Sequence, residues 1–232
     1  MSPSPVLAPS FSVDPKRSAL LLIDLQRMFL DTSCSLPEQF ATNHPEEARY
    51  FFERIQQCVI PRVVKVLGIA RTNDVPVFFT TIGSSRSDEV DLAPWKQLRN
   101  DRMKKASGGR QLYYPVGTPE HGIVNELKPM PGDFVMNKTT FSAFLTTALD
   151  LTLRALGKDT LFICGLATNG CVQATGIDAA DRGYMCVLIE DCCAAWEPRL
   201  HDSTIENFGR SFGAVVLADQ ASDLLIKGGS VP

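Results

Sequence analysis

Six short apolar runs are spaced along the chain and predict a buried sheet. They lie at residues 18–24, 75–81, 134–138, 160–165, 184–190 and 214–219. Within each run the apolar residues are nearly continuous, which is typical of strands that are buried on both faces. Helical patterns separate the runs, as crossover connections between parallel strands require. The pattern therefore predicts an α/β fold, a three-layer sandwich around a six-stranded, mainly parallel sheet.

The clearest helix prediction starts at Phe144 and ends before Gly157, which stands where a left-handed C-cap belongs. Four leucines spaced three or four positions apart form its apolar stripe: Leu145, Leu149, Leu153 and Leu156. Further helices are expected over about 171–181 and 202–210, and after residues 222 and 223. Another is expected around 63–70, with Pro61 tolerated in its first turn.

Two connections, 31–50 and 82–132, are longer than the few residues that usually join such elements. Long connections of this kind are often functional. The second contains Trp95, a mixed-charge run over 96–110, and Tyr113 beside Tyr114. A lid, a subunit contact and a solvated excursion are all compatible with this composition.

Composition narrows the class of protein. With 232 residues, 44% hydrophobic and 21% charged, the chain has the make-up of a globular domain. We expect one domain over 18–232, preceded by an N-terminal extension over 1–17 that is rich in proline and serine. The net charge of −3 and the single interrupted basic cluster argue against nucleic acid as a partner. We therefore expect a small-molecule substrate.

No apolar run approaches the roughly 20 residues that span a bilayer, so no membrane partner is expected. The beginning of the chain lacks the apolar core of a secretory signal, which favours a cytoplasmic location. The seven cysteines show neither a CxxC pair nor zinc-ligand spacing, and this fits a reduced compartment. No metal and no cofactor is expected.

Three residues with chemical potential stand at the carboxyl ends of predicted strands: Asp24, Lys138 and Cys171. Ligands bind at that edge of an open parallel sheet, because the loops converge there. Cys171 is predicted to open a helix, whose free N–H groups would favour the thiolate, as would a nearby Lys138. We therefore expect a lowered pKa for Cys171, with Asp24 able to accept the thiol proton. A buried, inert cysteine is the alternative.

The loop over 165–170 consists mostly of small residues. Such a loop can turn two backbone N–H groups towards one point and form an oxyanion hole. A phosphate site is less favoured, because neither GxxxxGK[ST] nor GxGxxG is present. His44, His121 and His201 are isolated and no GxSxG motif accompanies them, so we interpret them as surface or structural residues rather than members of a triad.

Three motifs resemble those of the isochorismatase-like cysteine hydrolases: LLIDLQRMF (21–29), VMNKTTFSAF (135–144) and GLATNGCVQAT (165–175). The resemblance extends from about residue 18 to 219. It implies a Rossmann-like hydrolase fold, with Asp24 as general base, Lys138 as the supporting cation and Cys171 as the nucleophile of an acyl- or carbamoyl-enzyme. It also implies a homo-oligomer, either a dimer or a tetramer.

The resemblance further implies a non-proline cis peptide between Leu166 and Ala167, with the N–H groups of Ala167 and Cys171 as oxyanion donors. Nicotinamidases of this family bind a metal through Asp-x-His-x-His, but this chain has no histidine between His44 and His121. True isochorismatases commonly lack the cysteine, since a vinyl ether needs proton transfer only. Cys171 therefore favours C–N bonds of amide, ureido or carbamoyl substrates, with isochorismate hydrolysis as the alternative.

Candidate pocket residues lie close to the three motifs: Gln26, Phe29, Phe141 and Trp196. Ordinary core packing is the competing interpretation for each of them. Arg199 is a candidate for binding a substrate carboxylate, on its charge and loop position. A third hypothesis is an inactive scaffold that binds a partner through 82–132, although three complete catalytic motifs argue against it.

Overall fold

A six-stranded parallel sheet forms the centre of the computed structural model, which describes residues 10–231. The strands in chain order are β1 (Phe11–Val13), β2 (Ser18–Ile23), β3 (Val77–Ile82), β4 (Phe134–Lys138), β5 (Thr160–Leu166), β6 (Met185–Ala194), β7 (Ala214–Val216) and β8 (Gly229–Val231). The central sheet has the order β4-β3-β2-β5-β6-β7, and all neighbouring strands are parallel. The predicted six-stranded α/β architecture is confirmed.

The strand order reverses direction between β2 and β5. β2 and β5 are buried along their whole length, as the continuous apolar runs predict. In a doubly wound sheet the crevice outside the carboxyl ends of such a strand pair is the usual ligand site. The topology therefore places the residues that follow β2 and β5 at that crevice.

Nine α-helices are present in the described part of the chain: α1 (Arg27–Leu30), α2 (Ser35–Asn43), α3 (Pro45–Arg54), α4 (Ile60–Thr72), α5 (Pro94–Ala106), α6 (Leu149–Ala155), α7 (Gln173–Asp181), α8 (Pro198–Ser211) and α9 (Ala218–Lys227). α4, α7 and α8 coincide with predicted helices, although their ends differ by several residues. α9 starts earlier than predicted, because the Asp191 carboxylate caps it by accepting a 2.8 Å hydrogen bond from Ala218 N–H. No helix over 10–231 is both long and apolar enough to cross a membrane.

The predicted start of α6 is wrong. Leu149 and Leu153 are fully buried, but Leu145 is 63% exposed and lies before the helix begins. The Thr147 hydroxyl donates to the Ala143 carbonyl and accepts from Leu149 N–H. Such local side-chain hydrogen bonds compete with helix formation and delay its start. The predicted end is confirmed, since Gly157 has a φ of +65°.

Pro61 lies in the first turn of α4, as predicted, but α4 is not a separate helix. α3 continues into α4 through one wide helical turn, Ile55–Val59, in which Ile60 N–H bonds to the Ile55 carbonyl. A proline has no N–H to donate and its ring crowds the preceding turn, so a widened turn before it relieves both problems.

The two long connections contain helices that the sequence analysis did not predict. α2 and most of α3 occupy 31–50, and α5 lies within 82–132. Of the predicted N-terminal extension, residues 1–9 lie outside the described part of the chain. β1, within the remainder, pairs antiparallel with β8, so this strand packs on the C-terminal end of the domain.

Candidate active site

Asp24, Lys138 and Cys171 meet at the carboxyl edge of the sheet. Asp24 follows β2, Lys138 ends β4, and Cys171 lies in the wide turn Thr168–Val172 after β5. The Lys138 Nζ donates to Asp24 Oδ2 at 2.6 Å and contacts Cys171 Sγ at 3.2 Å. All three side chains are buried. One ammonium thus bridges a carboxylate and a thiol in a site largely closed to solvent.

The Asp24 carboxylate is held from two sides. Its Oδ1 accepts a 2.7 Å hydrogen bond from the hydroxyl of Thr80, which lies on the neighbouring strand β3. The Asp24 backbone has a φ of +51°, a left-handed conformation that non-glycine residues seldom adopt. Residues in such conformations cluster at functional sites, where the surrounding structure enforces them.

Gly165 allows β5 to approach β2 directly beneath the site. A Cβ at this position would overlap the backbone of Ile23, the residue before Asp24. Its φ of +120° is also unfavourable for any other residue. The glycine therefore sets the separation between the strand that leads to Asp24 and the strand that leads to Cys171.

The loop after β5 is tightly folded around Ala167. The peptide bond between Leu166 and Ala167 is cis. The Ala167 carbonyl accepts hydrogen bonds from Gly170 N–H at 2.9 Å and Val172 N–H at 3.3 Å. This arrangement differs from the predicted plain helix N-terminus at Cys171, because α7 begins only at Gln173.

A buried histidine network supports this loop from below. The His201 Nδ1 lies 2.8 Å from the Thr168 hydroxyl, and its Nε2 faces both Arg54 and Glu190. These contacts with His201 and Arg54 lower the pKa of Glu190 to about 2. His201 is thus a structural residue; His121 likewise is buried and lies 2.9 Å from Asn137 Oδ1.

Burial controls the electrostatics of the site. It disfavours the charge on Lys138, but the adjacent Asp24 and Cys171 outweigh that effect and raise the lysine pKa. Burial also raises the pKa of Cys171; Lys138 opposes this, while the Asp24 carboxylate adds to it. The expected lowering of the cysteine pKa is therefore wrong. The resting site holds a thiol beside a carboxylate that can accept its proton.

A cavity of about 210 Å³ opens onto Asp24 and Cys171. Its other lining residues are Phe29, Leu36, Phe51, Lys96, Arg99, Leu112, Tyr113, Phe141, Leu166, Ala167, Asn169, Gly170 and Trp196. This volume lies below the usual range for ligand pockets, so it suits a small molecule. A larger concavity of about 440 Å³, lined by Arg27, Asp31 and Glu126 among others, contains none of the three catalytic candidates.

Phe29, Phe141 and Trp196 line the cavity, but two other candidates do not. Gln26 is fully buried, and its side-chain amide bonds to the backbone of Ile82 and His121, so it ties strands and loops together. Arg199 is exposed and lies 3.6 Å from Glu197. Neither of these side chains lines the cavity.

The long connections supply the walls that the sequence analysis missed. Leu36 and Phe51 come from α2 and α3, and Lys96 comes from α5. The Trp196 ring stacks on Phe51 at 3.9 Å and on Phe40 at 4.2 Å between ring centroids. No local pattern in the sequence marks these positions, because their role depends on tertiary packing.

The isochorismatase domain matches residues 18–220, which is most of the chain. The chain belongs to the isochorismatase family. The fold and the three motifs agree with this membership. Over residues 10–231, no group of three or more histidine, cysteine, aspartate or glutamate side chains is placed to hold a metal ion.

Individual relatives point to two activities within this isochorismatase family. Ureidoacrylate amidohydrolase RutB of Methylobacterium radiotolerans is 32% identical over 163 residues, which are 68% of this chain and 63% of that protein. The match thus spans less than two thirds of that relative's length. A probable isochorismatase of Pseudomonas chlororaphis is 26% identical, covering 93% of this chain and 90% of that protein.

Among solved structures, N-carbamoylsarcosine amidase from Thermoplasma acidophilum is similar to this isochorismatase-family chain. The TM-score is 0.62 with 25% sequence identity, and the match covers 88% of this chain and 97% of the other. The overall arrangement of sheet and helices is therefore shared.

Proposed function

We propose that this protein is a metal-independent cysteine hydrolase that cleaves the C–N bond of a small amide, ureido or carbamoyl compound. The contact of one buried ammonium, on Lys138, with both Asp24 and Cys171 carries the proposal. The similarity to a ureidoacrylate amidohydrolase and to an N-carbamoylsarcosine amidase supports the type of bond.

In the first half-reaction Asp24 takes the thiol proton of Cys171, and the sulfur attacks the substrate carbonyl carbon. Asp24 then gives this proton to the leaving nitrogen as the C–N bond breaks. The products are ammonia or an amine, and an acyl or carbamoyl group on Cys171. Lys138 stays protonated and stabilises the negative charge on Asp24 or on the Cys171 sulfur, whichever carries it.

In the second half-reaction a water molecule gives its proton to Asp24 and attacks the same carbonyl carbon. The C–S bond breaks, and the sulfur recovers the proton from Asp24. The N–H groups of Ala167 and Cys171 serve as oxyanion donors in both halves. The tightly folded loop around the Ala167 carbonyl supports this role, since it fixes the backbone next to the nucleophile.

The test is ammonia release across a panel of small amides, ureides and carbamoyl compounds, with and without a chelator. We expect release that survives the chelator and disappears in Cys171→Ser. Cys58→Ser is the matched control, because Cys58 lies outside the cavity and should leave the activity unchanged. Equal activity in wild type and Cys171→Ser, or loss of activity with the chelator, would contradict the proposal.

Isochorismate hydrolysis is the second candidate, favoured by the near full-length match to the probable isochorismatase of Pseudomonas chlororaphis. That reaction needs proton transfer by Asp24 and no covalent intermediate. It predicts that isochorismate is consumed and that Cys171→Ala retains substantial activity. Product analysis on isochorismate therefore separates the two candidates.

We also infer a homo-oligomer, either a dimer or a tetramer, that works in the cytoplasm. Trp95 and Leu98 on α5 are 64% and 61% exposed, which supports a covered surface in an assembly. All seven cysteines are free, in keeping with a reducing compartment. Light scattering that reports a monomer at working concentration would contradict the assembly.

A further inference from the structure

The Lys96 ammonium is a further cation at the cavity. The proposed mechanism with Asp24, Lys138 and Cys171 assigns it no role. The residue is 1% exposed and lines the same cavity as Cys171. Its Nζ lies 3.7 Å from the centre of the Phe141 ring and 4.7 Å from that of Tyr113. No acceptor among residues 10–231 forms a hydrogen bond or ion pair with this ammonium.

Three features make this position costly for a cation. Lysine is almost never fully buried unless it is paired. Lys96 lies in the first turn of α5, where the helix dipole already contributes positive charge. The Lys138 ammonium also disfavours its charge. Burial lowers the pKa of Lys96 to about 8, so most of the population remains protonated at neutral pH.

Another lysine on the same helix shows the usual solution. Lys104 is partly buried, and Glu89 accepts hydrogen bonds from its ammonium at 2.7 and 2.8 Å. Glu89 also accepts from Asn100, whose side-chain oxygen accepts from the backbone N–H of Tyr113. These hydrogen bonds fix the wall that carries Lys96. Of the two lysines, Lys104 has an acidic partner and Lys96 has none in the described part of the chain.

A substrate anion is the missing partner that would offset this cost. The aromatic rings partly stabilise the cation but accept no strong hydrogen bond. Among the residues that the structure describes, Asp24 is the only acidic one that lines the cavity, and Lys138 already neutralises it. Arg99 adds a further positive charge to the lining. The free cavity is thus electropositive, and its small volume suits a carboxylate group on a short chain.

We propose that Lys96 binds a carboxylate of the substrate, so that the enzyme acts on small amido or ureido acids and discriminates against their neutral analogues. This inference rests on the proposed C–N hydrolase function, since it concerns the same cavity. Lys96 would touch the end of the substrate remote from the scissile bond. It is therefore a specificity residue, and the proton transfers remain with Asp24 and Cys171.

Equilibrium binding to Cys171→Ser tests the inference without requiring turnover. Calorimetry would compare three acids with their neutral amides: N-carbamoylglycine, 3-ureidopropionate and succinamate. We expect at least one acid to bind tenfold or more tightly than its amide. In free energy, this preference corresponds to about one charge-assisted hydrogen bond. Adding Lys96→Met should abolish that preference, whereas adding Lys105→Met, an exposed change on the same helix, should preserve it.

Two results would overturn the inference. One is equal binding of acid and amide in all three pairs; the other is an acid preference that survives Lys96→Met. Where wild type turns a pair over, Lys96→Met should raise KM for the acid and spare the amide. An equal fall in kcat for both would instead mean that Lys96 acts only on the charge of Cys171. An acid preference in binding without any turnover would reject the hydrolase proposal and leave the carboxylate site standing.

Discussion

Replacing Asp24 with asparagine should make Cys171 more reactive towards alkylating reagents while it abolishes turnover. The carboxylate oxygen and the cysteine sulfur lie at most about 5.8 Å apart, because both contact the Lys138 nitrogen, at 2.6 and 3.2 Å. At this distance and an effective dielectric constant near 20, a carboxylate and a thiolate repel each other by about 3 kcal/mol. Removing that repulsion should enlarge the thiolate population on the order of a hundredfold.

Asparagine keeps an oxygen that can accept the hydrogen bond from Thr80, so the change mainly removes charge. The assay is the rate of iodoacetamide modification of Cys171 from pH 6 to 10, read by peptide mass spectrometry. Wild type should react slowly at pH 7, since burial raises the pKa of Cys171. Asp133→Asn is the control, because that carboxylate is paired with Arg71 outside the cavity.

An unchanged or slower reaction of Cys171 in Asp24→Asn would refute this reasoning. It would mean that the carboxylate does not suppress the thiolate in the resting site. Faster modification of Cys171 together with retained turnover would refute the predicted loss of activity. Asp24 would then be dispensable as the base.

Three further predictions concern the frame around the site. Gly165→Ala should lower the free energy of unfolding by about 2 kcal/mol or more, because the new Cβ would overlap β2 and the φ of this residue is positive. In the same urea titrations, the control Gly68→Ala should be neutral or stabilising. Trp196→Ala should raise KM and lower stability by up to about 3 kcal/mol, because it removes a partly buried ring that stacks on Phe40 and Phe51. Glu190, whose pKa is lowered from 4.5 to about 2, should stabilise the fold above pH 4.5 and progressively less as the pH falls towards 2. Glu190→Gln should therefore flatten the acid limb of a stability curve measured from pH 6 to 3.

The sheet could be predicted because its signal is local and repeated. Continuous apolar runs specify strands that are buried on both faces, and the six runs correspond to six parallel strands. Ligands bind at the carboxyl edge of such a sheet. The sequence therefore predicts that Asp24, Lys138 and Cys171 lie at this edge. The strand β3 separates Lys138 on β4 from Asp24 after β2, so the contact between the two side chains depends on packing that the apolar runs do not specify.

The protonation state of Cys171 could not be predicted in this way. The sequence marks a cation and a loop beside the thiol, and both favour the thiolate. It does not reveal that the sulfur is buried or that the Asp24 carboxylate contacts the same ammonium as the sulfur. Burial and the carboxylate outweigh Lys138 in the folded protein, which reverses the expected direction of the pKa.

Lys96 escaped the sequence analysis for a related reason. It belongs to a run of mixed charge, which locally looks like a solvated helix face, and most of its charged neighbours on α5 are indeed exposed. Its burial, which it shares on α5 with Asn100, depends on tertiary packing that the local pattern does not show. Gln26 illustrates the opposite error, since a polar residue next to the catalytic motif proved to be a structural link between strands and loops.

The most direct test of covalent catalysis is mass spectrometry of Cys171 during turnover. A panel compound that releases ammonia would be mixed with enzyme, quenched in acid within the first turnovers, and digested for peptide analysis. Covalent catalysis predicts an acyl or carbamoyl group on the Cys171 peptide that decays as product forms, and no such group in Cys171→Ser. Ammonia release at the wild-type rate by Cys171→Ser, with no modified peptide at any time point, would contradict it.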